Sequence, residues 1–399
     1  MPDTSHWGLD PNLIYLNHGS FGACPFSVLA KQQQLRTVME REPVQFFRHL
    51  EAKLDAVRET LANFIGDAPA HLCFLPNATT AVNTVLRSLN FSPEDEILIT
   101  NHGYNACANA VQFAAERAGA KVVVAEIPFP IASSQEVLEA ILAKVSSQTR
   151  LALIDQVTSP TALILPITEI VHRLEAEGID VLVDGAHAPG MLPLNLRAMG
   201  ASYYTGNCHK WLCAPKGSAF LSVREDKQDQ IRPLVISHGA NRQNSARSRF
   251  RLEFDWLGTV DPTPYLCIPE AIQVWSWLFP GGWDAAIQRN HDLILRARSR
   301  WLQSFGGSPP CPSDMIGSMT TFLLPEAVLP SDSAQQVQQR LLEEFQIEVP
   351  VIEWFSPPQR LIRMSAQVYN QWRDYEALID ALSQLIRATE LKSHGADGN

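Results

Sequence analysis

Between about residues 65 and 225 the chain alternates short apolar runs with amphipathic stretches of helical period. "HLCFLPN" is followed by "ATTAVNTVLRSL", and "EDEILIT" by "NACANAVQFAAERAG" and then "AKVVVAEI". "TRLALIDQ" precedes "ITEIVHRLEAEG", after which come "IDVLVDGAH", "ASYYTG" and "GSAFLSV". Strand, helix, strand at this spacing predicts βαβ units. Strands built from unbroken Val, Ile and Leu belong to a mainly parallel sheet covered on both faces. Residues 226–265 are polar and rich in Arg and Asn ("HGANRQNSARSRFRLEFDW"), a long excursion of the kind that is commonly functional or interfacial. From residue 266 helices ("PEAIQVWSWLF", "AAIQRNHDLILRARSRWLQSF", "SAQQVQQRLLEEF") mix with strands ("MTTFLLP", "IEVPVIEW", "RLIRMSA") and end in "WRDYEALIDALSQLIRAT". The expectation is an α/β protein with an N-terminal arm (1–30), a large domain with the parallel sheet (31–265) and a smaller α+β C-terminal domain (266–399).

Composition narrows the function. A chain of 399 residues exceeds one ordinary core, and 46% hydrophobic with 19% charged residues marks a well-packed protein. A net charge of −10 argues against nucleic acid and anionic membranes as partners. No apolar run is long enough to span a bilayer, and the polar N-terminus does not look like a cleavable leader. Seven scattered cysteines, an odd number with no C-x-x-C pair, predict reduced thiols in a cytoplasm and no structural metal.

Ligands of open parallel sheets bind at the carboxyl ends of the strands, and the chemistry-bearing residues of this chain gather there. Asp184 ends "DVLVD", with His187 three residues on; Asn77, Ala78 and Thr79 close "LCFLP" and open a helix whose free N–H groups favour a phosphate. His102 and Tyr104 follow "EILIT", and Lys210 follows "YYTGN" across a short turn. There is no G-x-G-x-x-G after a strand and no G-x-x-x-x-G-K-[ST], so nicotinamide and P-loop nucleotide sites are excluded. Pyridoxal phosphate suits the set: a lysine for the imine, an aspartate for the pyridine nitrogen, an aromatic ring to stack and a helix N-terminus for the phosphate.

"VDGAHAPG" followed by "TGNCHKWLCAPKGSAFL" resembles the class V aminotransferase family of pyridoxal-phosphate enzymes (fold type I). It bears a close likeness to the isopenicillin N epimerase-like branch of that family, which also holds C–S lyases. "YLNHGSFGACP", "DQVTSPTALILP", "WLGTVDPTPYL" and "RLIRMSAQVYN" extend the likeness over nearly the whole chain. The resemblance implies that Lys210 is the Schiff-base lysine, that Asp184 pairs with the pyridine nitrogen, and that His187 meets the phenolic oxygen of the cofactor. It implies Tyr104 as the stacking ring, with His102 as its rival, and Ala78, Thr79, Asn207 and His209 around the phosphate. It implies a homodimer with shared active sites, Gly258 and Thr259 reaching the phosphate of the neighbouring subunit. Arg363 matches the arginine that takes the α-carboxylate of the substrate, while His18, Gly19, Gln156 and Ser159 fall on the substrate side.

Each residue also has a structural reading. Lys216 competes with Lys210 but sits in a "PKG" turn; Asp184 could cap its own turn, and His187 and His209 could be satisfied core histidines. Cys311, in "GSPPCPSDMIGS", is flanked by prolines and does not match a mobile desulfurase thiol loop, so it is taken as incidental. The expected activity begins with removal of the α-proton of an amino acid or cysteine-derived substrate. Epimerisation is the leading outcome, with β-elimination (C–S lyase or desulfurase type) and transamination as alternatives, and a catalytically silent binding module as the non-enzyme reading. Epimerisation needs a second acid opposite Lys210, for which His18, His102 and Tyr104 are the candidates.

Overall fold

The computed structural model describes residues 4–243, 246–355 and 358–396. Seven strands form the central sheet: β1 (Leu72–Leu75), β2 (Glu96–Thr100), β3 (Lys121–Ala125), β4 (Thr149–Asp155), β5 (Asp180–Asp184), β6 (Tyr203–Asn207) and β7 (Ala219–Val223). Their order is β1-β7-β6-β5-β4-β2-β3. β2 to β6 run parallel, and β7 is antiparallel to both β6 and β1. The apolar runs are explained by the two faces. Along β4 and β5, Ala152, Ile154, Val181 and Val183 enter one core, while Leu151, Leu153 and Leu182 enter the other. Successive side chains alternate sides, so a strand covered on both faces must be apolar throughout.

The polar excursion is more ordered than its composition suggests. A short helix, Arg249–Phe254, is capped by Ser248 and inserts Phe250 and Phe254 into the core over one sheet face. Its outer side is held by ion pairs among Asp55, Asp255, Arg58, Arg247 and Arg251. Arg247 and Arg251 of this segment are partners of buried and half-buried carboxylates.

A second, antiparallel sheet of β8 (Met319–Leu323), β9 (Val351–Phe355) and β10 (Pro358–Ser365), in the order β9-β10-β8, belongs to the C-terminal part. The N-terminal arm is stitched to that part: Ile14–Tyr15 pairs in parallel with Ile347–Glu348, and Ser365 N–H donates to the Leu16 carbonyl (2.9 Å). Among the described residues, no helix is long and apolar enough to cross a membrane. No group of three or more His, Cys, Asp or Glu among them is placed to hold a metal ion.

Candidate active site

The carboxyl ends of β4, β5 and β6, the loop after β2 and the start of the helix Ala78–Ser88 enclose a cavity of about 330 Å³. Asp184, His187, Asn207, His209, Lys210, Tyr104, Ala78, Thr79 and Ser159 all line it. Ser20, Phe21 and Asp155, which the sequence reading did not single out, line it too.

Lys210 stands half-buried among these groups. Loss of hydration, reinforced by the Arg363 charge, pulls its ammonium down to about 8, against the pull of Asp184. Its Nζ lies 3.2 Å from His187 Nε2. The competing Lys216 is elsewhere: its Nζ donates to the Gly22 carbonyl (2.6 Å), away from the cavity.

Asp184 ends β5, where its carboxylate accepts Ala186 N–H (2.9 Å) and the Cys107 thiol (3.3 Å). Cys107 escaped the sequence reading, although it begins the buried stripe of the helix Asn105–Ala118 with Ala110, Val111 and Ala114 at helical spacing. At the helix Ala78–Ser88 the cap is Asn77, whose side chain accepts Thr80 N–H (2.8 Å). Ala78 N–H is already taken by Asn207 Oδ1 (2.9 Å), so Asn207 braces the helix start against β6. Thr79, the next residue of that turn, also lines the cavity. His209 also lines the cavity. Its Nδ1 donates to the Ser218 carbonyl (2.9 Å), and burial lowers it to about 4.

Tyr104, half exposed, faces the cavity, whereas its rival His102 is fully buried behind it. His102 uses Nδ1 on Thr161 Oγ1 (2.7 Å) and Nε2 on the Ile127 carbonyl (3.0 Å). His18 is likewise sealed: Nδ1 meets the Tyr369 hydroxyl (2.7 Å), Nε2 meets the Lys210 carbonyl (3.2 Å), and burial lowers it to about 3. Gly19 packs where a Cβ would collide with the Met319 sulfur. His18 and Gly19 therefore fasten the arm, and Ser20 and Phe21 are the arm residues that reach the cavity. Gln156 is also set back. Its side chain accepts the Tyr204 hydroxyl (2.7 Å) behind the wall.

Arg363, on β10, is buried and lies behind Ser20 and Ser159. Its Nη1 donates to the Ser159 carbonyl and to Ser159 Oγ (3.3 Å), and Nη2 donates to Ser20 Oγ (3.1 Å). Its Nε has no partner among the described residues, and burial lowers the guanidinium to about 10. A buried guanidinium whose described partners are neutral oxygens can still take an anionic partner. Gly258 and exposed Thr259 do not reach this cavity. Gly258 lines a separate apolar groove of about 430 Å³ with Leu234, Val235 and Val260, which meets the cavity at Pro76 and Gly217. Cys311 is buried, away from the cavity, and its thiol is pushed up to about 11.

The donor set fits pyridoxal phosphate: a buried amine for its aldehyde, a buried carboxylate at a strand end for the ring nitrogen, an aromatic ring at the wall, and a helix N-terminus for its phosphate. The family model for aminotransferase class-V matches residues 23–256. The chain is 32% identical to a probable chloroplastic L-cysteine desulfhydrase of Arabidopsis thaliana, over 95% of this chain and 84% of that one. It is 33% identical to isopenicillin N epimerase of Streptomyces clavuligerus, over 94% of this chain and 96% of that one. In fold it is similar to a lysine mutant of C-DES with glycine covalently linked to the PLP cofactor (TM-score 0.79, 21% identity, 96% of this chain and 99% of that one). The matched sequence model and the relatives similar along nearly the full length place this chain in the class V aminotransferase family, whose cofactor is pyridoxal phosphate.

Proposed function

We propose that this enzyme is a C–S lyase of the cysteine desulfhydrase kind, converting a cysteine-type amino acid and water to a thiol or hydrogen sulfide, pyruvate and ammonium. The observation that carries the reading is that two of the three candidate acids for the face opposite Lys210 are sealed inside the protein. Epimerisation by two groups needs an acid on the face opposite Lys210, and of its candidates His18 and His102 have both ring nitrogens committed inside the protein. Elimination needs only one such group, because the proton taken from Cα can be handed to the departing sulfur. A desulfurase-type transfer to a protein thiol finds no support, since Cys311 is buried outside the cavity.

Arg363 receives the α-carboxylate, with Ser20 and Ser159 fixing its fork. Lys210, held near pH 8 by burial, binds the cofactor and is a neutral base for the α-proton once the substrate amine replaces it. With the cofactor bound, the Asp184 carboxylate would hold a positive ring nitrogen, His187 would meet the phenolic oxygen, Tyr104 would cover the ring face, and Thr79 with His209 would face the phosphate. The cofactor, when bound, supplies the electron sink that makes the Cα–H bond acidic. Epimerisation remains a second reading because the Tyr104 hydroxyl lines the cavity and two relatives that match nearly the whole chain are isopenicillin N epimerases.

The protein would work as a cytoplasmic homodimer, Gly258 and Thr259 closing the phosphate site of the second copy. The apolar groove beside them, lined by exposed Leu234, Val235 and Val260, supports this. The test is to give the loaded enzyme L-cysteine, D-cysteine, S-substituted cysteines and alanine, following pyruvate and thiol release beside α-deuterium exchange in heavy water. Exchange with inversion and no pyruvate from any cysteine derivative would replace lyase by epimerase.

A further inference from the structure

Asp155 is a second acid in the cavity that the proposed chemistry does not use. It ends β4 as Asp184 ends β5, and the two are register partners on adjacent parallel strands. Register partners point to the same face, on strands about 4.8 Å apart. Both side chains are buried, at 5% and 4% exposure. Two carboxylates so close, away from water, cannot both hold a charge cheaply.

We infer that Asp155 is a positioning residue that shares one negative charge with Asp184, carrying the proton itself and leaving Asp184 as the anion that faces the cofactor ring. Asp184 accepts a backbone N–H and the Cys107 thiol, and Asp155 accepts the backbone N–H of Tyr104 and its own. The groups facing the pair are Lys210 from the loop after β6, the Cys107 thiol from the helix Asn105–Ala118, and the Tyr204 phenol from β6. Burial, and after it the Asp184 charge, raises Asp155 well above the usual carboxylate range, against the two backbone N–H groups and Lys210. Cys107 and Tyr204 are raised by the same surroundings and stay neutral. A protonated Asp155 keeps the counter-charge of the site at one, which limits how strongly Lys210 is held in its ammonium form. Two charges there would bind its proton more tightly and spoil it as a base.

This inference rests on Asp184 as the ring partner, so it is tested on cofactor-free protein, where the outcome is independent of which reaction the enzyme performs. In the unfolded chain Asp155 loses its proton near pH ~3.9, while the folded protein keeps it. Between that value and the raised folded one the native state binds the extra proton, so wild-type stability falls as pH rises. Asp155→Asn has no such proton. The melting temperature of Asp155→Asn minus that of wild type should therefore widen, by roughly 3 °C or more between pH 4 and 8. A constant or narrowing gap overturns the inference, because it means an ionised Asp155. Infrared spectra of the cofactor-free wild type at pH 7 give a second measure that needs no stable variant. A carbonyl band of a buried carboxylic acid is expected, and it should vanish in Asp155→Asn. No band in wild type, or a band that survives in Asp155→Asn, overturns the assignment.

Discussion

Trp211 fixes the proton on His187. The indole Nε1–H of Trp211 donates to His187 Nδ1 (3.4 Å). An indole can only donate, so Nδ1 is an acceptor, and burial keeps the imidazole neutral, well below its ordinary value. The proton therefore sits on Nε2, which faces Lys210 Nζ at 3.2 Å. An N–H aimed at an amine is compatible with a neutral lysine that accepts it, and not with an ammonium. The pair thus helps hold Lys210 as a free base.

Trp211→Phe should therefore raise the apparent pKa of Lys210. Without the indole donor, His187 can carry its proton on Nδ1 and accept at Nε2 from the ammonium. Because a raised pKa postpones the neutral amine, the rising limb of the pH–rate profile should move to higher pH, and the rate at pH 7 should fall roughly tenfold if the shift is about one unit. The measurement is the pH profile of kcat in wild type and Trp211→Phe. A lower rate at every pH with an unmoved limb would mean that the indole only packs.

The central sheet was legible because β4 and β5 are buried on both faces, and only unbroken apolar runs satisfy that. Lys210 and Asp184 were legible because polar side chains at apolar strand ends need a reason. Asp155 stands at the same strand-end register as Asp184 and carried the same signal, but the likeness that pointed to Asp184 was silent about it. The arm was harder. Its two-residue strand, Ile14–Tyr15, pairs with residues more than 300 positions away, and no local period records that contact. His18 and Ser20 lie two apart, yet one is sealed under Tyr369 while the other reaches the cavity. Which residues of a short helix face a site depends on that long-range pairing.

Lys210→Ala should abolish covalent attachment of the cofactor, while Lys216→Ala should retain it, since Lys216 is spent on the Gly22 carbonyl. Both should fold, because the cavity is made by strand ends and loops. Borohydride reduction followed by peptide mapping checks this. Cofactor fixed to Lys216 in Lys210→Ala, or cofactor lost from Lys216→Ala, would reverse the assignment.

Asp184→Asn should keep the cofactor but lose the anion beside its ring nitrogen. A neutral amide cannot hold a positive ring, so the electron sink weakens. The expected loss in kcat is several hundred-fold or more, in line with a buried electrostatic contribution of ~4 kcal/mol. Steady-state kinetics at matched cofactor occupancy measure it, and a loss under tenfold would remove Asp184 from the proposed role.

Arg363 should govern recognition of the α-carboxylate. Among the described residues its partners are neutral oxygens of Ser159 and Ser20, and one buried N–H is unmatched. A substrate carboxylate would complete the fork with two parallel hydrogen bonds and set the Cα–H bond across the ring plane. Arg363→Lys keeps the charge but loses the fork, so both binding and α-proton exchange should suffer through misalignment, by about 10–100-fold together. Arg363→Ala should cost more for amino acids and little for the matching decarboxylated amines, which never use the fork. Deuterium exchange of an amino acid and of its amine, in wild type and both variants, separates the cases. Equal losses for acid and amine would make Arg363 a support of the fold between β10 and the arm, and the carboxylate would need another partner.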